Sequence, residues 1–138
     1  MAPEPQHHFG VYARIRDGNH ILLVHKTRGP YTGLLDLPGG TPEPGESWQE
    51  TLERELQEEL GLHLPAVGRF KPFTIHVRTT STGASINFHH RGVFLDLPRP
   101  PTAPSTSMSP DTAGSRWFNT RTDNKTHLSP VVHAVLSL

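Results

Sequence analysis

The sequence predicts a mixed α/β (α+β) domain. β-rich runs occupy both the beginning and the second half of the chain, while only two segments carry helix signals, one central and one terminal. Fourteen prolines and twelve glycines in 138 residues favour turns, strands and loops over a helical bundle. That length is enough for one domain and too short for two.

Phe9 to Arg16 and His20 to Lys26 are the first β-rich runs, and Asp17-Gly18-Asn19 between them is a hairpin signal. Met1 to His8 holds two prolines and no apolar core, so it reads as a flexible tail (1–8) ahead of a single domain (9–138), not as a signal peptide. Leu34 to Leu37 is a short strand stopped by Pro38, and Gly39 to Glu46 is a loop leading to a helix. Ser47 and Glu50 make a capping box, Trp48, Leu52, Leu56 and Leu60 form one apolar stripe, and Gly61 ends the helix. Ala66 to Thr80 and Ser85 to Leu97 form a second hairpin around Ser-Thr-Gly. Pro98 to Ser115, with five prolines, four serines and three threonines in eighteen residues, reads as a structureless loop. Trp117-Phe118 resumes order, and Ser129-Pro130 opens a closing helix with Val131, Val132, Val135 and Leu136 turned inward.

Composition narrows the function. Without cysteine there is no disulfide scaffold, thiolate zinc site or thiol nucleophile. Thirteen basic residues against thirteen acidic ones argue against nucleic acid as a partner. No apolar run is long enough to span a bilayer, so the expectation is a soluble, cytoplasmic protein without a membrane partner.

The central helix carries Glu50, Glu53, Glu55, Glu58 and Glu59 against one basic residue, Arg54. Glu50 and Arg54 are spaced for a surface ion pair. Glu55, Glu58 and Glu59, however, share an arc of about 100° at helical spacing, where like charges repel by roughly 0.2–0.5 kcal/mol per pair. They also lie toward the C-terminal end, where the helix dipole disfavours anions. Three clustered oxygen donors at the border of the apolar stripe suit a hard divalent cation. On the helix alone, a solvated acidic face accounts for them equally well.

The preceding loop breaks that tie. From Gly40 there are five residues to Glu46, seven more to Arg54, and then Glu55-Leu56-Gln57-Glu58-Glu59-Leu60-Gly61-Leu62. This resembles the Nudix hydrolase signature G-x5-E-x7-R-E-U-x-E-E-x-G-U, with U a bulky aliphatic, at every specified position. Leu37-Pro38-Gly39-Gly40 and Pro44-Gly45-Glu46-Ser47 are also in the family's style. The resemblance implies a Nudix-type mixed β-sheet sandwiched between α-helices.

It also implies hydrolysis of a nucleoside diphosphate linked to another group X, with Mg²⁺ or Mn²⁺ as cofactor and a small nucleotide as substrate. Carried over by position, Glu55, Glu58 and Glu59 hold the metal together with the backbone of Gly39. Arg54 pairs with Glu46 and orients the carboxylates, and Glu55 is a candidate to position the attacking water. Family members often draw a further carboxylate from a later loop; no glutamate follows Glu59 here, and Asp111 is the substitute. Whether the base is Glu55 or Asp111 stays open. Dimers are common in the family, so a homodimer is among the expectations. The alternative reading is a non-catalytic nucleotide-binding module of the same fold.

Other residues have simpler accounts. Arg28 is a candidate phosphate contact or an ordinary loop arginine. His89 and His90 are neighbours on a strand, so they point to opposite faces and cannot share an ion. Trp48, Trp117 and Phe118 are read as packing residues.

Overall fold

The computed structural model describes residues 2–105 and 109–138. In chain order the elements are β1 (Pro5–Asp17), β2 (His20–Lys26), β3 (Leu35–Asp36), β4 (Gly39–Gly40), α1 (Trp48–Leu60), β5 (Lys71–Thr79), β6 (Ser85–Pro98), β7 (Thr112–Asn119) and α2 (Pro130–Leu136). The described strands form one seven-stranded sheet in the order β3-β2-β1-β6-β5, with β4 on β1 and β7 on β2. The sheet is mixed: β1 and β6 run parallel from Pro5↔Asn87 to Arg16↔Pro98, and the other pairings are antiparallel.

Alternation along β1 divides the core in two. Val11, Ala13 and Ile15 face α1 and pack with Leu52, Leu56 and Leu60, all of them fully buried. Burying a leucine side chain stabilises by about 1.5–3 kcal/mol, so this stripe seats the helix. On the other face Tyr12, Phe73, Phe94 and Phe118 meet Val131, Val132 and Val135 of α2. The sheet is thus sandwiched between the two helices. Ser129 caps α2 by accepting from the Val132 N–H at 3.2 Å, and its hydroxyl donates to buried Asp36 at 2.7 Å.

The capping box forms as its residue types require. The Glu50 N–H donates to Ser47 Oγ at 3.1 Å, and the Ser47 N–H donates to Glu50 Oε1 at 3.0 Å. Gly61 closes the helix in the left-handed conformation, φ 64°. Because the cap occupies Glu50, the expected Glu50–Arg54 pair is not made; Arg54 turns to other carboxylates. Trp48 leaves the buried stripe as well, at 45% exposure, with the rings of Phe9 and Phe70 against it.

Three more expectations change. β1 begins at Pro5, inside the stretch read as a tail, because β6 is long enough to offer Asn87–His90 as partners to Pro5–His8. Gly39-Gly40 is a two-residue strand rather than loop, paired with Tyr12 and Val11. The Pro-rich stretch ends early: Thr112–Ser115 already belong to β7, and residues 106–108 of it lie outside the described residues. Among the described residues no helix is long and apolar enough to cross a membrane.

Candidate functional site

The site forms where β4 is pressed between β1 and α1. Gly39 has φ +143°, and a Cβ there would run into the Val11 carbonyl oxygen. At Gly40 a Cβ would sit 2.6 Å from Glu55 Oε1. Two glycines therefore let the backbone slide beneath the helix carboxylates, a close approach that no side chain permits. The Gly39 N–H uses that proximity to donate to Glu59 Oε1 at 2.7 Å.

Glu46 and Arg54 clasp the loop to the helix. Arg54 donates from Nε to Glu46 Oε2 at 2.7 Å and from Nη2 to Oε1 at 2.9 Å, a two-pronged charge-assisted bond. Glu46 also accepts from the Glu43 N–H and the Thr51 hydroxyl. Its carboxyl is held at about 2, chiefly by Arg54. The remaining Arg54 nitrogen reaches Glu55 Oε1 at 3.0 Å and Glu58 Oε2 at 3.3 Å, and Nη2 donates to the Thr41 carbonyl. One guanidinium thus organises three carboxylates and a loop.

Those carboxylates remain short of positive charge. Glu55 is pushed up to about 7, first by desolvation and then by Glu58 and Asp111, with Arg54 opposing. Glu59, 2% exposed, is pushed well above the ordinary carboxylate range by burial and by Glu55, against the Gly39 hydrogen bond. Glu58 is half-exposed at the mouth. A cleft of about 330 Å³ opens over Glu55, Glu58, Glu59 and Gly39, with Lys26 and Asp111 on its far wall.

An all-oxygen donor set with raised carboxylate pKa values fits a hard cation such as Mg²⁺ or Mn²⁺. Among the described residues no three acidic or imidazole groups converge as a finished ligand cage. Glu59 is turned to the Gly39 N–H, and Glu55 and Glu58 to Arg54. Cation binding there requires Glu55 and Glu58 to exchange part of Arg54 for the ion.

The structure therefore gathers Gly39, Arg54, Glu55, Glu58, Glu59 and Asp111 at one cleft, with Glu46 held to it through Arg54. Arg28 is not brought onto its wall; it is largely exposed and stands 3.8 Å from Asp111. Beside Arg54, the cleft is lined by a second cation, Lys26, which the sequence reading passed over. Its signal was available: Lys26 ends β2 directly before the turn that leads toward the Gly39-Gly40 segment. His90, read from the sequence only as unable to share an ion with His89, lies outside the cleft. Buried on the opposite side of β1, it is bonded by Tyr12 at 2.8 Å and Tyr31 at 2.7 Å.

Comparison with known proteins bears on this arrangement. A profile of the NUDIX domain matches residues 5–123. A CTP pyrophosphohydrolase of Escherichia coli is 38% identical over 74 residues, which cover 54% of this chain and 52% of that protein. The chain thus spans about half the length of this curated relative. The crystal structure of a MutT NUDIX hydrolase from Burkholderia pseudomallei superposes with a TM-score of 0.68 at 24% identity, covering 96% of this chain and 97% of that one. A bifunctional NMN adenylyltransferase/ADP ribose pyrophosphatase from Francisella tularensis, complexed with AMP and a manganese ion, gives a TM-score of 0.70 at 22% identity. It covers 99% of this chain and 42% of that one. These structures share the fold.

Proposed function

The chain belongs to the NUDIX domain family, and from that premise we propose that it is a divalent-cation-dependent pyrophosphohydrolase. Its substrate is a nucleoside diphosphate linked to a further group, and the bond cleaved is a phosphoric anhydride. One observation carries the reading: the Glu46–Arg54 clasp holds Glu55 and Glu58, and the Gly39 N–H holds Glu59, around one cleft where two of the three carboxyls are raised by desolvation. A structural acidic face would be solvated instead, at lower energetic cost.

Glu55, Glu58 and Glu59 hold Mg²⁺ or Mn²⁺, with Gly39 supplying close backbone approach. Bound there, the cation supplies charge neutralisation for the diphosphate and acidifies water. Arg54, fixed by Glu46, sets the direction in which Glu55 and Glu58 present their oxygens, the supporting role that keeps ligands oriented. Lys26 offers its ammonium to a phosphate oxygen from across the cleft. Glu55 or Asp111 accepts the proton of the attacking water; both border the same space. A CTP-like nucleoside triphosphate and an ADP-ribose-like diphosphate are the substrate classes that the relatives' names suggest.

A phosphate-release screen of purified protein tests this. The panel holds nucleoside triphosphates, oxidised purines included, together with ADP-ribose, nucleotide sugars and dinucleoside polyphosphates, each with Mg²⁺ or Mn²⁺. Turnover lost in Glu59→Gln supports the hydrolase and names its substrate class. Silence across the panel, with Mn²⁺ still bound, would point to the nucleotide-binding module instead.

A further inference from the structure

The sheet face beyond the first turn of α1 is exposed. His7, His89 and His76 lie in register across β1, β6 and β5. One step along, Phe9, Arg91 and Thr74 repeat the arrangement. The imidazoles stack face to face, His7 on His89 at 4.9 Å and His89 on His76 at 4.2 Å. Their faces are thereby spent on one another, and His76 Nε2 is bonded to Asn87 Oδ1 at 2.6 Å, which leaves the edges of His7 and His89. Arg78 and Arg91 flank the row closely enough that, after desolvation and the two neighbouring imidazoles, their charges lower the His89 pKa.

At the helix end of this face stand two exposed rings. Phe9 is 37% and Trp48 45% exposed, and they tilt together at 5.9 Å with Phe70 behind Trp48. None of these residues carries a carboxylate. The nearest acids on α1 are otherwise engaged: Glu50 in the capping box and Glu53 with the Ala66 N–H. A chain of zero formal net charge thus segregates cations and exposed aromatics onto one flat patch.

We propose that this face binds single-stranded nucleic acid, with Arg78, Arg91 and the imidazole edges taking phosphates and the Phe9–Trp48 pair stacking on a base. Aromatic rings beside a cationic track are the sequence-tolerant way to hold a single strand. Charge complementarity selects that occupant over a second copy of this chain, which would set guanidiniums and imidazoles against their own kind. The groups facing the row are Arg78, Arg91, Asn87 and Thr74, with no anion among them.

The test is fluorescence anisotropy of labelled oligo-U and oligo-dT with the full chain. One series contains EDTA, so that the catalytic cleft is metal-free, and a second contains Mg²⁺ with excess mononucleotide, so that the cleft is occupied. Two guanidinium–phosphate contacts predict a salt slope of about −1.4, or roughly sevenfold weaker binding between 50 and 200 mM salt. Binding should quench Trp48 and fall at least tenfold in Arg78→Glu/Arg91→Glu while nucleotide hydrolysis persists. Absence of binding at about 100 μM protein, the weak limit for non-specific sites, overturns the proposal. So does binding unchanged by the double reversal, binding abolished by mononucleotide, or a dimer in sedimentation that the same reversal dissociates.

Discussion

The two sides of β1 handle buried polarity in opposite ways. On the α2 side, His90 sits between Tyr12 and Tyr31, each hydroxyl on one ring nitrogen. A neutral imidazole has one N–H and one lone pair, so one tyrosine accepts and the other donates, and the triad is satisfied within itself. Burial pushes His90 down to about 3 and the tyrosines up, which keeps all three neutral. On the α1 side, Glu55 and Glu59 face a cleft with Arg54 divided among four partners. One cluster is closed and saturated; the other is open and lacks cationic charge. Polar burial alone therefore does not mark a functional site, whereas polar burial with unmet charge beside a cleft does. Tyr12 links the two, its ring on His90 and its backbone on Gly39.

The largest effect that would sharpen the contrast is Glu59→Gln. It should lower hydrolysis by on the order of 10³-fold, several kcal/mol of charge stabilisation, while raising the melting temperature of the metal-free protein. Full turnover in that variant would remove the proposed site. On the closed side, His90→Leu strands two tyrosine hydroxyls, and each should cost about 1–3 kcal/mol of stability in urea denaturation. Residual activity per folded molecule should change little. Arg54→Lys follows: without the two-pronged bond to Glu46, kcat should drop by about 10–100-fold with smaller change in KM. Equal kinetics would mean that the clasp orients nothing.

A smaller and slower effect separates the two clusters by pH. The folded pKa of His90 is depressed, so its contribution is fully present above the ordinary imidazole value of about 6.5. It is lost progressively as pH falls toward about 3, because the unfolded chain then binds the extra proton. Glu55 and Glu59, raised in the folded chain, act with the opposite sign over the same range; in a Glu55→Gln/Glu59→Gln background the urea midpoint should decline from pH 7 to pH 4, and His90→Gln should flatten that slope. A decline of equal steepness in the variant would assign it elsewhere.

Much of the site was legible because it is local in sequence. The capping box, the stripe of Leu52, Leu56 and Leu60, and the carboxylates at helical spacing are all set by neighbours within a few residues. Elements that depend on distant partners were read less well. Pro5–His8 looks like a tail until β6 offers a parallel edge, and Thr112–Ser115 looks like loop until β2 pairs with it. Trp48 fits the apolar stripe by spacing, yet it stands half-exposed beside Phe9 and Phe70.

By itself the sequence determined a capped helix presenting three glutamates, the glycines ahead of it and the mixed α/β class, since these follow from backbone propensity and helical period. Tertiary structure decided which charges meet. It took Glu50 for the cap and gave Arg54 to Glu46, brought Lys26 rather than Arg28 to the cleft, and sealed His90 between two tyrosines. Periodicity is a property of consecutive residues. Electrostatic environment depends on what the folded sheet places within a few ångströms, and residues 12, 31 and 90 become neighbours only there.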